Sequence, residues 1–408
     1  SEHLKLGFAF VEINKNIMVA LLTLPTEILC GIANHADDEA LLNMRLSCKS
    51  LCEASARPFG TTYLTNRHHV PSEHSIQALV DIVMHPIFGS YVKSITITAM
   101  YLLPEKIHGD AASQYLAHSN GFRVPGIGID KAFINSREYI RMMKQIFNKI
   151  RKLQNPVHIK ICDDTEYGFG WTQMVDDSPR MYDHCYAEVL DRTLVAAIRA
   201  DCDVRSLELS MHHYDFESLH DILEDLLSPT RQSLKLTIHC DRKHSRKLYS
   251  PYTCIYDQAE GSLELIGCDV YELARAKEDS TIKRTLAFLL KQNVTKLVLV
   301  NCHLCSAKRF RVLLSWGIGT LKTVCMTSFR PCRTPADARE HWSGIINVLS
   351  GHSGLESVVI EDLLAPRYWS LFHLPRDTQR YEVSGHHVAE QLRTLATIVA
   401  TEPVESQI

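Results

Sequence analysis

The sequence has little net charge and no long uninterrupted apolar run. Its 408 residues carry a formal charge of -3, so no overall electrostatic field would attract the phosphate backbone of a nucleic acid. The apolar run from Ile17 to Leu29 is interrupted by Thr23, Pro25 and Glu27 and lacks a positively charged lead-in, which excludes a membrane-spanning helix or a signal peptide there. We predict no nucleic-acid partner and no membrane attachment.

The 13 cysteines form no dense framework. They are odd in number and spread from Cys30 to Cys332, which is typical of reduced thiols in the cytoplasm or nucleus rather than of a disulfide-stapled secreted domain. The stretch Cys302-His303-Leu304-Cys305 has the spacing of a zinc site, but the next pair, Cys325 and Cys332, is too widely spaced to complete it. We predict no metal and no cofactor, and a cytoplasmic and/or nuclear location.

Motifs of common catalytic sites are also missing. The sequence contains no phosphate-binding glycine loop followed by lysine and serine or threonine, no His-Glu-x-x-His and no Gly-x-Ser-x-Gly. Two adjacent pairs, His212-His213 and His184-Cys185, are better explained as a strand end and a helix start than as metal ligands or a nucleophile and its base. We predict that the chain is not an enzyme.

The stretch LPTEIL, Leu24 to Leu29, predicts the start of a helix. Pro25 suits the first helical position, because its missing N–H would have no intrahelical partner there. Glu27 then lies near the positive end of the helix dipole. We expect this helix to run to about Asn34.

Further short helices follow this first one. Asp37 or Asp38 offers an N-cap, and the apolar pattern continues until Arg57-Pro58 stops it. We predict two or three short helices, a unit too small to bury all its apolar side chains by itself. A partner or the rest of the chain should cover the remainder. The apolar positions are Leu24, Ile28, Leu29, Ile32, Leu41, Leu42, Leu46 and Leu51.

These residues resemble the F-box family, over about residues 22–60. The matching pieces are Leu24-Pro25-Thr26-Glu27-Ile28-Leu29, Ile32, Asp37-Asp38, Leu41-Leu42 and Arg45-Leu46-Ser47-Cys48-Lys49. Two features depart from the family pattern: Ala33-Asn34-His35 is less apolar than in many members, and the inter-helix loop has no proline. The plain alternative is a helical cap on a larger fold.

The F-box resemblance implies docking onto the Skp-type adaptor of a cullin-based ubiquitin ligase. The residues that it places at the adaptor are Leu24, Pro25, Ile28, Leu29, Leu41, Leu42, Leu46 and Leu51. It also divides the chain into an uncharacterised N-terminal extension (1–17), an F-box helical module (18–60) and the remainder (61–408).

A faint repeat, aliphatic-x-aliphatic-x-x-anchor, fills the remainder. From the third copy on, its first positions recur every 27 to 34 residues. The copies are Ile95/Ile97/Met100, Val157/Ile159/Cys162, Leu207/Leu209/His212, Leu234/Leu236/His239, Leu263/Leu265/Cys268, Leu297/Leu299/Cys302, Val324/Met326/Phe329 and Val358/Ile360/Leu363. Amphipathic helical segments lie between copies, and the best of them starts at Thr334-Pro335.

Each repeat predicts a short strand and a helix that cannot bury its apolar side alone. Stacking such units predicts an α/β fold, a curved solenoid with a parallel sheet along its inner wall. This resembles an irregular leucine-rich repeat, with Cys268 and Cys302 at the inward position. A doubly wound sheet is the alternative. The polar stretch Arg242 to Gln258 fits no repeat, and we interpret it as an insertion loop.

Two aromatic-rich connections are our candidates for binding a target protein, because aromatic side chains dominate binding hot spots. Their residues are Tyr167, Phe169, Trp171, Tyr368 and Trp369. The alternative is that these rings fill the ends or gaps of the solenoid. A basic segment from Arg141 to Lys152 is interpreted as a solvated helix face.

By resemblance, the two halves together indicate an F-box protein with irregular leucine-rich repeats. Such a protein is the substrate-recognition subunit of an SCF-type ubiquitin ligase, and its implied partners are a Skp-type adaptor, the cullin scaffold and a target protein that the sequence does not identify. Two other hypotheses stay open. One is a non-catalytic repeat scaffold without a ligase role, and the other is an α/β hydrolase-like enzyme.

Overall fold

A computed structural model describes most of the chain. The described residues are 21, 23–102, 131–162, 182–184, 186–211, 223–224, 226, 234–240, 252–268, 281–303, 306–317, 319–328, 335–361 and 380–401. Within them the chain is a mixed α/β protein with 12 α-helices and 13 strands. Every helix in this part of the chain is too short or too polar to span a lipid bilayer.

The helices fall into an N-terminal group and a series that alternates with strands. The N-terminal group is α1 (Thr26–Asn34), α2 (Asp38–Ser47), α3 (Lys49–Ala54) and α4 (Ala56–Phe59), which continues into a π-helical turn, Gly60–Leu64. The later helices are α5 (Glu73–Met84), α6 (Lys131–Ile134), α7 (Arg137–Lys152), α8 (Tyr186–Arg199), α9 (Thr281–Lys291), α10 (Ala307–Ser315), α11 (Pro335–Ser350) and α12 (Val388–Thr401).

Eleven of the described strands form one sheet, and two short strands form a separate pair. The sheet contains β1 (Asn66–His69), β2 (Ser94–Thr98), β4 (Val157–Cys162), β6 (Val204–Met211), β7 (Lys235–Cys240), β8 (Tyr252–Asp257), β9 (Ser262–Ile266), β10 (Lys296–Val300), β11 (Thr323–Thr327), β12 (Ser357–Glu361) and β13 (Arg380–Ser384). The separate pair is β3 (Met100–Leu102) and β5 (Tyr182–His184).

The strands of the large sheet lie side by side in the order in which the chain makes them. The pairs from β1 to β7 and from β9 to β12 are parallel. Strand β8 is antiparallel to both its neighbours, and β13 is antiparallel to β12. The sheet is therefore mostly parallel, as predicted, with two antiparallel strands that were not predicted.

Three of the seven successive pairs of repeat positions that the sequence identified as equivalent are direct neighbours in the sheet. Leu263 is paired with Leu297, Leu297 with Val324, and Val324 with Val358. The thiol of Cys302, two residues after β10, donates a hydrogen bond to the Leu265 carbonyl oxygen at 3.1 Å. The spacing of these copies is confirmed.

The copies of the repeat that begin at Val157 and at Leu234 were each placed two residues too early in the sequence. Ile95 pairs with Ile159 rather than Val157, and Leu207 pairs with Leu236 rather than Leu234. Side chains alternate between the two faces of a strand, so a shift of two residues keeps the same face buried. The hydrophobic pattern therefore could not distinguish the two registers.

The interpretation of Arg242 to Gln258 as an insertion loop was wrong for its last part, which forms β8. A tight turn joins β8 to β9: the Asp257 carboxylate accepts the N–H groups of Ala259 and Glu260 at 3.0 and 3.2 Å, and Gly261 adopts φ +59°. This turn is too short for the crossover helix that a parallel pair requires, so β8 is antiparallel to β9.

The core lies between one face of the sheet and the helices. In β10, Leu297 and Leu299 are fully buried while Val298 between them is half-buried, and the other strands alternate in a similar way. Helices α7, α10 and α11 contribute large side chains, including Phe310 and Trp342, to one continuous apolar cluster. The helix predicted to start with Pro335 is confirmed.

The opposite face of the sheet carries more polar side chains. Thr96, Lys160 and Glu208 stand side by side on β2, β4 and β6. Glu208 Oε1 lies 3.0 Å from the Lys160 ammonium group and 3.7 Å from His239 Nε2. This half-exposed row carries both signs of charge and is available for polar contacts.

Candidate protein-binding surface

The four N-terminal helices have a small apolar core of their own. Leu29 of α1 packs with Leu51 and Ala54 of α3, and Met44 and Cys48 lie against this cluster. Each of the first three side chains is at most 3% exposed. A core of this size gives the module a defined shape but leaves many of its apolar side chains outside.

Local hydrogen bonds set the starts of the first two helices. Pro25 stands one residue before α1, and its carbonyl oxygen accepts the N–H groups of Ile28 and Leu29 at 3.0 and 3.1 Å. The prediction that Pro25 is the first helical residue was off by one position. Asp37 is the N-cap of α2, with its carboxylate accepting the Ala40 N–H at 2.8 Å.

Five large apolar side chains of the first two helices are exposed. Leu24 lies just before α1, and Ile28 and Ile32 within α1 are four residues apart, so these two follow one side of the helix. On α2, Leu42 and Leu46 have the same spacing, and Leu46 is 85% exposed. Exposed clusters of large apolar side chains are common at protein-binding surfaces.

A groove separates α1 from α2 on one side of the module. Its volume is about 740 Å³. Ile28 and Ile32 line it from α1, and Ala40 and Met44 line it from α2. Gly31, on the same side of α1, has no atom within 4 Å of the place where a Cβ would stand. The groove is therefore apolar and wide enough to accept side chains of a partner.

Leu42 and Leu46 form a second apolar surface rather than a part of the groove. An α-helix turns about 100° per residue, so these two leucines lie roughly 160° around α2 from Ala40 and Met44. The F-box resemblance placed Leu24, Ile28, Leu42 and Leu46 in one adaptor-binding set. The structure instead has the groove and, on another side of α2, the Leu42–Leu46 pair.

The eight predicted adaptor-binding residues therefore divide into two groups. Leu24, Ile28, Leu42 and Leu46 are exposed large apolar residues, and Pro25 is exposed beside them. Leu29, Leu41 and Leu51 are buried, so they hold the module together and do not reach its surface. The adaptor-binding prediction is therefore corrected for these three leucines. The sequence pattern identified them as apolar, but it did not show which of two adjacent apolar residues, such as Leu41 and Leu42, faces inward. Gly31, Ile32 and Met44 also line the groove, and they were not among the eight predicted residues.

Arg45 connects the helical module, α1 to α4, with the sheet domain, the part of the chain that begins at β1 and contains the large sheet. The Arg45 guanidinium carbon lies 4.2 Å from the ring centre of Phe59 and 4.9 Å from that of Phe88, which follows α5. Its Nη1 also donates to the Cys52 carbonyl oxygen at 3.4 Å. At the same junction, Gly60 lies against the ring of Tyr91. Contacts on both sides of the junction hold the module in one orientation.

Replacing Arg45 with alanine should loosen this junction. We expect the free energy of unfolding of the module to fall by about 1 to 2 kcal/mol, because two cation–π contacts are lost. Hydrogen exchange of the α2 amides would measure this loss. Lys49→Ala is the matched control, since that side chain is 89% exposed and has only a 3.9 Å ion pair with Glu53. Equal protection of α2 in both variants would contradict the role of Arg45.

The predicted target-binding aromatic residues Tyr167, Phe169, Trp171, Tyr368 and Trp369 lie outside the described residues. The same holds for His212, Cys185 and Cys305. Cys302 is buried, and its thiol donates a hydrogen bond to the Leu265 carbonyl oxygen. In the described part of the chain, no three His, Cys, Asp or Glu side chains stand close enough together to hold a metal ion.

By its fold, the described chain is a mixed α/β protein with one long, mostly parallel sheet and a small helical module before the first strand. Comparisons of the chain with protein-family models, with curated proteins and with solved structures find no match.

Proposed function

We propose that this chain is the substrate-recognition subunit of a cullin-based SCF-type ubiquitin ligase, with α1 to α4 as its F-box. The observation that carries the proposal is the exposed apolar surface of a folded helical module. Ile28 beside the groove is half exposed, and Leu46 at the second surface is 85% exposed. A Skp-type adaptor is the partner that the F-box sequence pattern implies.

We further propose that the sheet domain is an irregular leucine-rich-repeat-like solenoid. Two observations support this: the sheet follows chain order, and equivalent repeat positions such as Leu263 and Leu297 are direct neighbours. A doubly wound sheet instead reverses its strand order at a switch point, where its ligands bind. The described strands contain no such reversal, which weighs against the hydrolase-like alternative.

The proposed mechanism involves no bond chemistry by this chain. The helical module binds the adaptor, while the polar sheet face and the aromatic residues at 167–171 and 368–369 hold a target protein. Tethering the target near a conjugating enzyme turns a bimolecular encounter into an effectively intramolecular one. The junction around Arg45 supports this mechanism, because a fixed module sets the distance between adaptor and target.

A non-catalytic scaffold without a ligase role is the second candidate. The contacts of Arg45 with Phe59 and Phe88 support the scaffold as well as the ligase subunit. They join the module to the sheet domain, and a helical cap would also require such a connection. The two candidates differ in what the exposed side chains do. A cap needs only the buried side of the module, whereas an adaptor needs the exposed side.

The proposal is tested with the double variant Ile28→Asp and Leu46→Asp. We expect binding to a recombinant Skp-type adaptor to weaken by about 100-fold or more, because each change places a carboxylate in an apolar interface. The unfolding temperature should barely change, since Ile28 is half exposed, Leu46 is 85% exposed and neither belongs to the buried core of the module. Isothermal titration of the adaptor into each variant measures the effect.

Ile87→Asp is the matched control, because Ile87 is also half exposed but lies outside the module. It should leave adaptor binding intact. Leu29→Asp would be uninformative, since it breaks the core of the module. Absence of adaptor binding by the unchanged chain, or binding that the double variant leaves unaltered, would refute the ligase role and favour the scaffold.

A further inference from the structure

Helix α7 carries a strong local positive charge in a chain whose formal charge is -3. Its 16 residues hold six cationic side chains and one carboxylate. That carboxylate, Glu138, pairs with Arg141 at 2.5 Å, and the Arg151 guanidinium lies 3.9 Å from Asp201. Among the described residues, Lys144, Lys149 and Lys152 have no ion-pair partner. Part of the charge on this helix is therefore not neutralised within the described chain.

The unpaired cations line one groove rather than a scattered surface. The groove has a volume of about 390 Å³, and one end of α5 contributes Met84 to it. The lining residues of α7 are Arg141, Lys144, Gln145, Asn148, Lys149 and Lys152. Their spacing of three and four residues makes a continuous stripe along the helix. The stripe covers eleven residue steps, which is about 16 Å at the helical rise.

The groove combines three kinds of contact. The ammonium groups attract carboxylates, the side-chain amides of Gln145 and Asn148 can donate or accept hydrogen bonds, and Met84 offers an apolar contact that is 44% exposed. A length of about 16 Å matches about five residues of extended chain. These features fit a short acidic peptide segment that carries one apolar side chain.

Other anionic partners fit less well. The described lining residues include no aromatic ring on which a base could stack, which weighs against single-stranded RNA. The site is a groove, and its exposed apolar part is a single methionine, whereas a membrane-surface helix presents a wide apolar face.

We propose that the groove between α5 and α7 binds an extended, acidic segment of a partner protein, with its apolar side chain on Met84. This surface is on the helical side of the fold and is separate from the α1–α2 surface. It does not depend on the proposed ligase role, so each can fail without the other.

The test uses the full chain and a dye-labelled peptide that alternates aspartate and glutamate around one leucine. Fluorescence anisotropy should show binding that weakens steeply toward about 0.5 M salt, where the Debye length is about 4 Å. Lys144→Glu with Lys152→Glu should reduce the affinity at low salt by about tenfold or more, because two attractive contacts become repulsive. Lys144→Gln with Lys152→Gln should give a smaller loss.

The matched control is Lys308→Glu with Arg311→Glu, two exposed cations on the polar face of α10. It changes the net charge equally and should retain most of the peptide affinity. Unfolding temperatures of all variants show whether a loss of binding is a loss of folding. Equal affinity of the α7 charge reversal and the unchanged chain would overturn the proposal.

Binding of other ligands to the same chain distinguishes an acidic peptide from other classes of partner. A peptide with serine in place of leucine should bind several-fold more weakly, and Met84→Ser should remove this difference. Equal affinity for both peptides in the unchanged chain would indicate a non-specific anion patch and overturn the proposal. So would tighter binding of a single-stranded RNA oligonucleotide or of vesicles containing phosphatidylserine.

Discussion

Replacing Gly89 with alanine should destabilise the protein by about 3 kcal/mol or more. Gly89 is buried in the turn after α5, and a Cβ at this position would overlap the Val83 carbonyl oxygen. That oxygen belongs to the backbone of α5, so it cannot move away as the end of a flexible side chain could. Chemical denaturation followed by circular dichroism would measure the change.

Gly31→Ala is the opposite case and the matched control. Gly31 lies inside α1, and a Cβ there would meet nothing within 4 Å. Alanine should stabilise the helix by about 0.5 to 1 kcal/mol, because it loses less conformational freedom than glycine. If the two variants had the same stability, the close approach of Gly89 to α5 would be refuted.

Acidification should destabilise the protein through His69, the second large expected effect. His69 is the last residue of β1, it is fully buried, and its Nδ1 lies 3.0 Å from Ser75 Oγ. Burial, with a smaller effect from the charge of Arg67, lowers the pKa of His69 to about 3. The unfolded chain regains the ordinary pKa of about 6.5.

The direction of the pH effect follows from which state binds the proton. Between pH 6.5 and 3 the unfolded chain protonates this histidine while the folded protein does not. Stability should therefore fall as the pH drops below 6.5, by about 1.4 kcal/mol per pH unit from this group. Above pH 6.5 both states hold a neutral ring, and His69 contributes no slope.

The pH effect is measured as a difference between variants. Urea unfolding of the unchanged chain and of His69→Gln from pH 8 to pH 5 should give a flatter profile for the variant below pH 6.5. His386→Gln, at an exposed histidine, should keep the original profile. Parallel profiles for the unchanged chain and His69→Gln would contradict the burial of a neutral ring. His352 acts in the same direction, because burial lowers its pKa as well.

The repeat could be predicted because its signal is local and periodic. Pairs such as Leu297/Leu299 and Val324/Met326 mark a strand with one buried face, and their spacing along the chain sets the length of each unit. The antiparallel strand β8 was missed, since its identity depends on a turn at Asp257 and on pairing with β7 rather than on a repeated spacing. Pairing partners are properties of the folded sheet.

The candidate surface was predicted only in part. The pattern from Leu24 to Leu51 identified which residues are apolar, and five of the large ones are exposed. It did not separate Leu41, which is buried, from its neighbour Leu42, which is exposed. Adjacent helical residues differ by about 100° in direction, and the side that turns inward depends on where α3 and α4 pack.

By itself, the sequence determined where helices such as α11 begin and which face of each predicted repeat strand is buried, because helix caps and alternating burial act over a few neighbouring residues. The tertiary structure decided the register at Ile159 and Leu236, the division of the leucines of α1 to α3 between core and surface, and the groove that joins Met84 to α7. Each of these depends on contacts between residues far apart in the chain, whose packing energies no local pattern contains.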